Sequence, residues 1–165
     1  MIDFVVRETR AVVDGGMSFL RFGTCGGLRG EDVAATVVVP SGGSVLLRRD
    51  PDAVGAGAVS PYSLSRPVLP DATLTQALLA RMRAAVAPLA CAVVEGVDIT
   101  CDSFYSSQGR VGAAFRDANE GLLARVLAEV PEARSMQASA RAQAQALGHS
   151  RARTRRPALA AAPAF

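Results

Sequence analysis

A chain of 165 residues, half of them hydrophobic, is long enough for one domain with a sizeable core and too apolar to be disordered throughout. The formal net charge of +3 is unevenly placed: residues 1–132 hold all fifteen acids and twelve of the eighteen arginines, a net −3, so the basic excess belongs to the segment from Ala133 onward and not to the globular part. Three cysteines without C-x-x-C spacing and a single histidine, His149, exclude a disulfide framework, a zinc site and a histidine-based triad; no apolar run nears the roughly 20 residues that span a bilayer, and Met1-Ile2-Asp3 opens no signal peptide.

Ile2, Val5, Val6, Val12 and Val13 recur at helical spacing with charges between them, which predicts an amphipathic helix closed by Asp14-Gly15-Gly16. Met17 to Phe22 reads as a strand carrying Arg21, running into Gly23-Thr24-Cys25-Gly26-Gly27. Val37–Val39 and Ser44–Leu47 are two further strands, split by the turn Pro40-Ser41-Gly42-Gly43. Residues 50–70, with four prolines, read as a long irregular connection. Asp71 then caps a helix with the face Leu74, Leu78, Met82 and Val86, stopped by Pro88. Cys91 to Thr100 reads as one buried strand, and Arg116 to Val130 as a helix with Leu122, Leu123, Val126, Leu127 and Val130 on one side. Strands alternating with helices predict an α/β fold with a mostly parallel sheet.

Beyond Glu132 the pattern fails. Valine and isoleucine vanish, glutamine and arginine alternate with alanine, and no packed strand is offered, although residues 137–147 have the alanine content of a weak helix. Two units are therefore expected: a domain over residues 1–133 and an Ala/Arg/Gln-rich tail over 134–165, disordered or weakly helical.

Two segments carry chemistry. The loop Asp102-Ser103-Phe104-Tyr105-Ser106-Ser107-Gln108-Gly109-Arg110, at a strand's exit, holds two aromatics, a primary amide and a guanidinium. A flat heterocycle needs a face to lie against and paired donors and acceptors along its edge, and these side chains supply both; a plain polar turn is the alternative. Arg21 with Gly23-Thr24-Cys25-Gly26-Gly27 is a phosphate-site candidate, since a glycine turn lets backbone amides approach an anion while Thr24 and Arg21 add a hydroxyl and a forked charge. A tight turn with Arg21 in a salt bridge is its alternative. The segment matches neither a P-loop nor a dinucleotide fingerprint.

Together, Phe19-Leu20-Arg21-Phe22-Gly23-Thr24-Cys25-Gly26 and the F-Y-x-x-Q-x-R order of Phe104 to Arg110 resemble the nucleoside phosphorylase I family, and the second motif resembles its uridine phosphorylase branch, with Val94-Glu95-Gly96 through Arg110 most similar to protozoan members. The likeness covers about residues 1–133 and implies a partial nucleoside phosphorylase fold, an incomplete α/β arrangement with a central mostly parallel or mixed sheet flanked by helices. It implies that Arg21 and Thr24 bind phosphate, that Cys25 and Gly26 border the base, that Phe104 packs against the nucleoside, and that Gln108 and Arg110 hydrogen-bond the uracil edge. The implied reaction is reversible phosphorolysis of uridine to uracil and ribose 1-phosphate in pyrimidine salvage, with phosphate as co-substrate and no cofactor or metal. It further implies a cytosolic homodimer or hexamer acting on small molecules.

The chain departs from that family in two places. The family's first strands and their phosphate loop would precede Met1, and Ser135-Met136-Gln137 stands about where a Glu-Met-Glu ribose motif belongs, so no ribose-binding residue is assigned. These departures, with the unopposed arginines, read as a truncated gene product whose frame slips close to Ser135. Phosphorolysis by the isolated chain is then expected to be lost. A purine-acting phosphorylase or nucleosidase of the same fold is the alternative activity. An inactive fragment or interaction protein using the arginine tail is the alternative of another class; nucleic-acid binding by that tail is not expected, because its arginines are sparse and lack interleaved aromatics.

Overall fold

The structure, a computed structural model, describes residues 2–31, 35–57 and 60–138. The amphipathic N-terminal run folds as α1 (Ile2–Val12), with Asp3 in its first turn paired to Arg7 one turn on. The predicted strand at Met17–Phe22 is absent. No other described strand lies beside it to take its backbone hydrogen bonds, and Leu20 and Phe22 are exposed. Only β1 (Gly26–Gly27) enters the sheet from this region.

β2 (Thr36–Val39) and β3 (Ser44–Arg49) form where the β-branched run predicts them. The connection after them is less irregular than its prolines suggest. Asp50 caps a one-turn helix α2 (Pro51–Gly55), with its carboxylate accepting from the Asp52 and Ala53 amides and proline at the tolerated first position, and β4 (Tyr62–Leu64) pairs antiparallel with β3. Asp71 caps α3 (Ala72–Val86) through the Leu74 amide. The face of α3 is rotated from the expected one: Thr75 and Leu79 are buried, while Leu74, Leu78, Met82 and Val86 flank them half-buried.

The long apolar run is two strands, β5 (Ala92–Glu95) and β6 (Val97–Cys101), broken at Gly96. β5 pairs parallel with β2 in a small two-stranded sheet, while β6 pairs parallel with β3 in the main one. The two breaks lie side by side, since the Gly42 amide donates to the Gly96 carbonyl at 2.9 Å. Gly96 is required there because a Cβ would stand 2.6 Å from the Glu132 carbonyl and 2.4 Å from Arg134 Cγ.

The helix expected over residues 116–130 is shorter, α4 (Leu122–Glu129), preceded by Gly121 in the left-handed region at φ 72°. The largest correction follows it. Ala133–Ala138 is a strand, β7, parallel to β6 with Ser135 opposite Asp98, Met136 opposite Ile99 and Gln137 opposite Thr100. Its composition conceals it, because Ala, Ser, Met and Gln have weak strand preference. It is held by packing, with Ala133, Ser135 and Met136 buried. The sheet thus continues past Ala133 and past Ser135. Residues 139–165, which include most of the expected tail and its possible helix, lie outside the described residues.

The main sheet has the order β1-β7-β6-β3-β4. Its three inner strands are parallel and its edge strands antiparallel, a mixed sheet flanked by helices. All five residues of β6 are buried, and Val45, Leu47, Ile99, Cys101 and Met136 meet Leu122, Val126 and Val130 around α4 in the core. Parallel strands aim their C-terminal ends the same way, so the loop leaving β6 and the end of β7 emerge together.

Candidate functional site

The loop after β6 is anchored from several sides. Asp102 accepts from the Arg49 amide at 3.0 Å, and the Ser103 hydroxyl accepts from the Ser107 amide at 2.9 Å. The Ser107 hydroxyl donates to Asp102, and the Cys101 thiol to the Ser107 carbonyl at 3.3 Å. Ser106–Gln108 forms one 3-10 turn closed by Gly109 at φ 68°, where the Leu123 side chain presses so close that a Cβ would stand 2.9 Å from its Cγ. Asn119, 3% exposed, donates to the carbonyls of Ser106 and Arg110, both at 3.0 Å. A buried amide with both protons used is a clamp on the loop, since its loss strands two carbonyls.

The clamped loop presents its outward side chains in a fixed arrangement. Phe104 is about half exposed, edge-on to Tyr105 with centroids 5.3 Å apart, and the Arg110 guanidinium lies 4.3 Å above the Phe104 ring. Arg110 Nε also donates to Gln108 Oε1 at 3.3 Å. That arrangement pre-sets a cation and an amide beside an aromatic face.

Arg21 reaches the same place from far away in sequence: its Nη1 donates to Gln137 Oε1 on β7 at 2.8 Å. The glycine turn follows because β1 pairs antiparallel with β7, Gly26 opposite Met136 and Gly27 opposite Ser135. Gln137 in turn donates through Nε2 to Asp98 at 2.8 Å. Asp98 is 4% exposed and also receives the hydroxyls of Ser135 at 2.7 Å and Thr100 at 3.0 Å.

These parts line one open cleft of about 830 Å³. All seven residues singled out in the sequence border it: Arg21, Thr24, Cys25 and Gly26 on one wall, and Phe104, Gln108 and Arg110 on the other. Its charged lining among the described residues is two arginines and no carboxylate, which suits a ligand that is anionic or becomes so. Leu123, Met136 and Gln137 complete the floor, and none of the three was assigned a role from sequence. The signal in the sequence is positional: Met136 and Gln137 sit where the family's ribose motif belongs, and the absence of β-branched residues conceals the strand that carries them.

The displaced titrations belong to residues outside the cleft lining. Burial pushes the Cys101 thiol up to about 12, with the charges of Asp102 and Asp98 adding to it. Burial also raises Tyr62, against the opposing pull of Arg49. The Ser41 hydroxyl, followed by Arg83, lowers Glu95 on β5 of the small sheet. Among the described residues no three of His, Cys, Asp and Glu gather as a metal site, and no helix is long and apolar enough to cross a membrane.

No curated protein matches the chain significantly. A solved structure from a study of two uridine phosphorylases in the oomycete Phytophthora capsici is similar, at 40% identity and a TM-score of 0.78 over 82% of this chain. The chain spans about half of that protein, 51% of its length. The sequence profile of the phosphorylase superfamily matches residues 1–147, the described chain and both walls of the cleft. With fold, cleft and profile in agreement, the chain belongs to the phosphorylase superfamily and shares its fold with a uridine phosphorylase.

Proposed function

We propose that the cleft binds uridine and phosphate in the manner of a uridine phosphorylase and that its residues are arranged for phosphorolysis to uracil and ribose 1-phosphate. The observation that carries this reading is the meeting of the Arg21–Gly27 segment with the Phe104–Arg110 loop in one cleft, although some eighty residues separate them. Arg21 and Thr24 take the phosphate, Phe104 backs the nucleoside, Cys25 and Gly26 border the base, and Gln108 with Arg110 takes the uracil edge. Uracil offers two carbonyl acceptors and one N–H donor, which an amide and a guanidinium satisfy together.

In the reaction, a phosphate oxygen forms a bond to the anomeric carbon as the glycosidic C–N bond breaks, and the electron pair of that bond leaves on uracil. The sugar passes through oxocarbenium character, by analogy with other glycosyl transfers. Negative charge grows on the departing ring, so Arg110 stabilises it electrostatically and needs to give up no proton. Phosphate is the co-substrate and no cofactor is needed. A cytosolic, homodimeric or hexameric enzyme belongs to the same proposal.

Gln137 marks a difference in rate. An amide at a site where a carboxylate could bind ribose hydroxyls forgoes several kcal/mol of transition-state stabilisation, on the order of a thousandfold in turnover. Titrating the purified chain with uridine, inosine and inorganic phosphate, and following ultraviolet absorbance in mixtures, tests the reading. Saturable uridine binding with slow phosphate-dependent cleavage is expected. Preference for inosine would replace it with a purine-acting reading, and absence of binding by both uridine and phosphate would overturn it.

A further inference from the structure

Asp98 lies on the central strand β6, outside the lining of the cleft, yet its hydrogen bonds lead to Arg21, one of the cleft's two arginines. It is nearly fully buried and receives Ser135 Oγ on one oxygen, and Thr100 Oγ1 and Gln137 Nε2 on the other. Both Asp98 oxygens serve as acceptors in these bonds. Gln137 must therefore turn its NH2 toward Asp98 and its carbonyl oxygen the opposite way, where Arg21 Nη1 donates to it at 2.8 Å. Arg21 itself lies in a segment without strand pairing, so its backbone does little to hold the side chain in place. We infer that Asp98 is a positioning residue that, by fixing the orientation of the Gln137 amide, holds the Arg21 guanidinium in place for an anion. The inference rests on the proposed phosphate role of Arg21.

The chemistry of the group at position 98 decides the outcome. An asparagine there is nearly the same size but carries a donor as well as an acceptor, so Gln137 can flip and present its NH2 to Arg21, donor against donor. The guanidinium is then released. A glutamate at position 137 with Asp98 retained would set two carboxylates against each other. Making both changes together would restore a donor on the β6 side and an acceptor toward Arg21.

The test compares the parent chain with Asp98→Asn, Gln137→Leu and the double variant Asp98→Asn/Gln137→Glu. Inorganic phosphate and uridine affinities are measured by equilibrium dialysis, and Arg21 reactivity toward phenylglyoxal by peptide-resolved mass spectrometry without ligand. In both single variants phosphate affinity should fall about tenfold, the loss of one charge-assisted hydrogen bond, and Arg21 should be modified at least about threefold faster, while in Asp98→Asn, whose altered side chain does not line the cleft, uridine affinity changes less than about twofold. The double variant should return both quantities to within about twofold of the parent. Gln137→Leu leaves Asp98 with Ser135 and Thr100, so the chain of contacts is tested even where Asp98→Asn fails to fold. Unchanged Arg21 reactivity in the single variants, or a double variant no better than Asp98→Asn alone, would overturn the inference. A parent that binds no phosphate would overturn the proposed function and leave the Arg21 measurement standing.

Discussion

Arg110 and Phe104 form a stacked pair whose cation also meets the Gln108 amide, so three side chains form one joined surface, the one to which the proposed function gives the base. A planar guanidinium stacks and forks, while an ammonium does neither. Arg110→Lys is therefore expected to weaken uridine at least about tenfold and leave phosphate affinity near its parent value, as measured by titration of each ligand; equal losses for both would show that Arg110 serves the loop and not the base. The cysteines separate by environment. Cys25 is exposed on the cleft wall, whereas Cys101 is fully buried with its thiol pushed up to about 12. Iodoacetamide at pH 8.5 should label Cys25 well ahead of Cys101, and peptide mapping reads the order. Because Cys101 keeps its proton when folded and loses it near 9.0 when unfolded, stability is full below pH 9 and declines above it, by up to ~1.4 kcal/mol per pH unit until about pH 12. Urea midpoints taken from pH 8 to 10.5 should fall in the parent and fall less steeply in Cys101→Ala. The two motifs were legible in sequence because their residue types carry chemistry. Asn119 and Asp98 were not, since a single polar residue looks the same in sequence whether it ends up solvated or buried.

Elements in this chain are set by breaks as much as by runs. The apolar stretch from Cys91 onward has enough β-branched residues for one long strand, but Gly96 divides it between two sheets. An added methyl at position 96 would meet the Glu132 carbonyl, which is backbone and cannot swing aside. Gly96→Ala should cost about 1–3 kcal/mol in chemical denaturation, against about 1 kcal/mol for Asp71→Ala, which removes only the cap of α3. Equal small losses would mean that the β6–β7 crossing relaxes freely. α1, α3, β2 and β3 were readable locally because periodicity and capping are properties of a short window. Met17–Phe22 misled for the same reason, since a strand is stable only when a neighbour takes its amides.

The molecule as a whole depends on β7, the strand least visible in composition. It links the core to the glycine turn through β1 and supplies Met136 and Gln137 to the cleft. A chain ending at Glu132 should lose the cooperative thermal transition of the parent, because it removes buried Ala133, Ser135 and Met136 and exposes the edge of β6. Equal melting curves for the two would contradict this account of the sheet. By itself the sequence determined the α/β class and the anionic character of residues 1–132, since hydrophobic period and charge are written in local residue types, and its resemblance to a known family picked out the seven residues that line the cleft. Only the tertiary structure decided that β7 exists, that the sheet is mixed, and that Asp98 is linked to Arg21 through Gln137. Those facts arise from long-range pairing, where a weak strand former is held by buried neighbours and a buried carboxylate selects which end of an amide faces it.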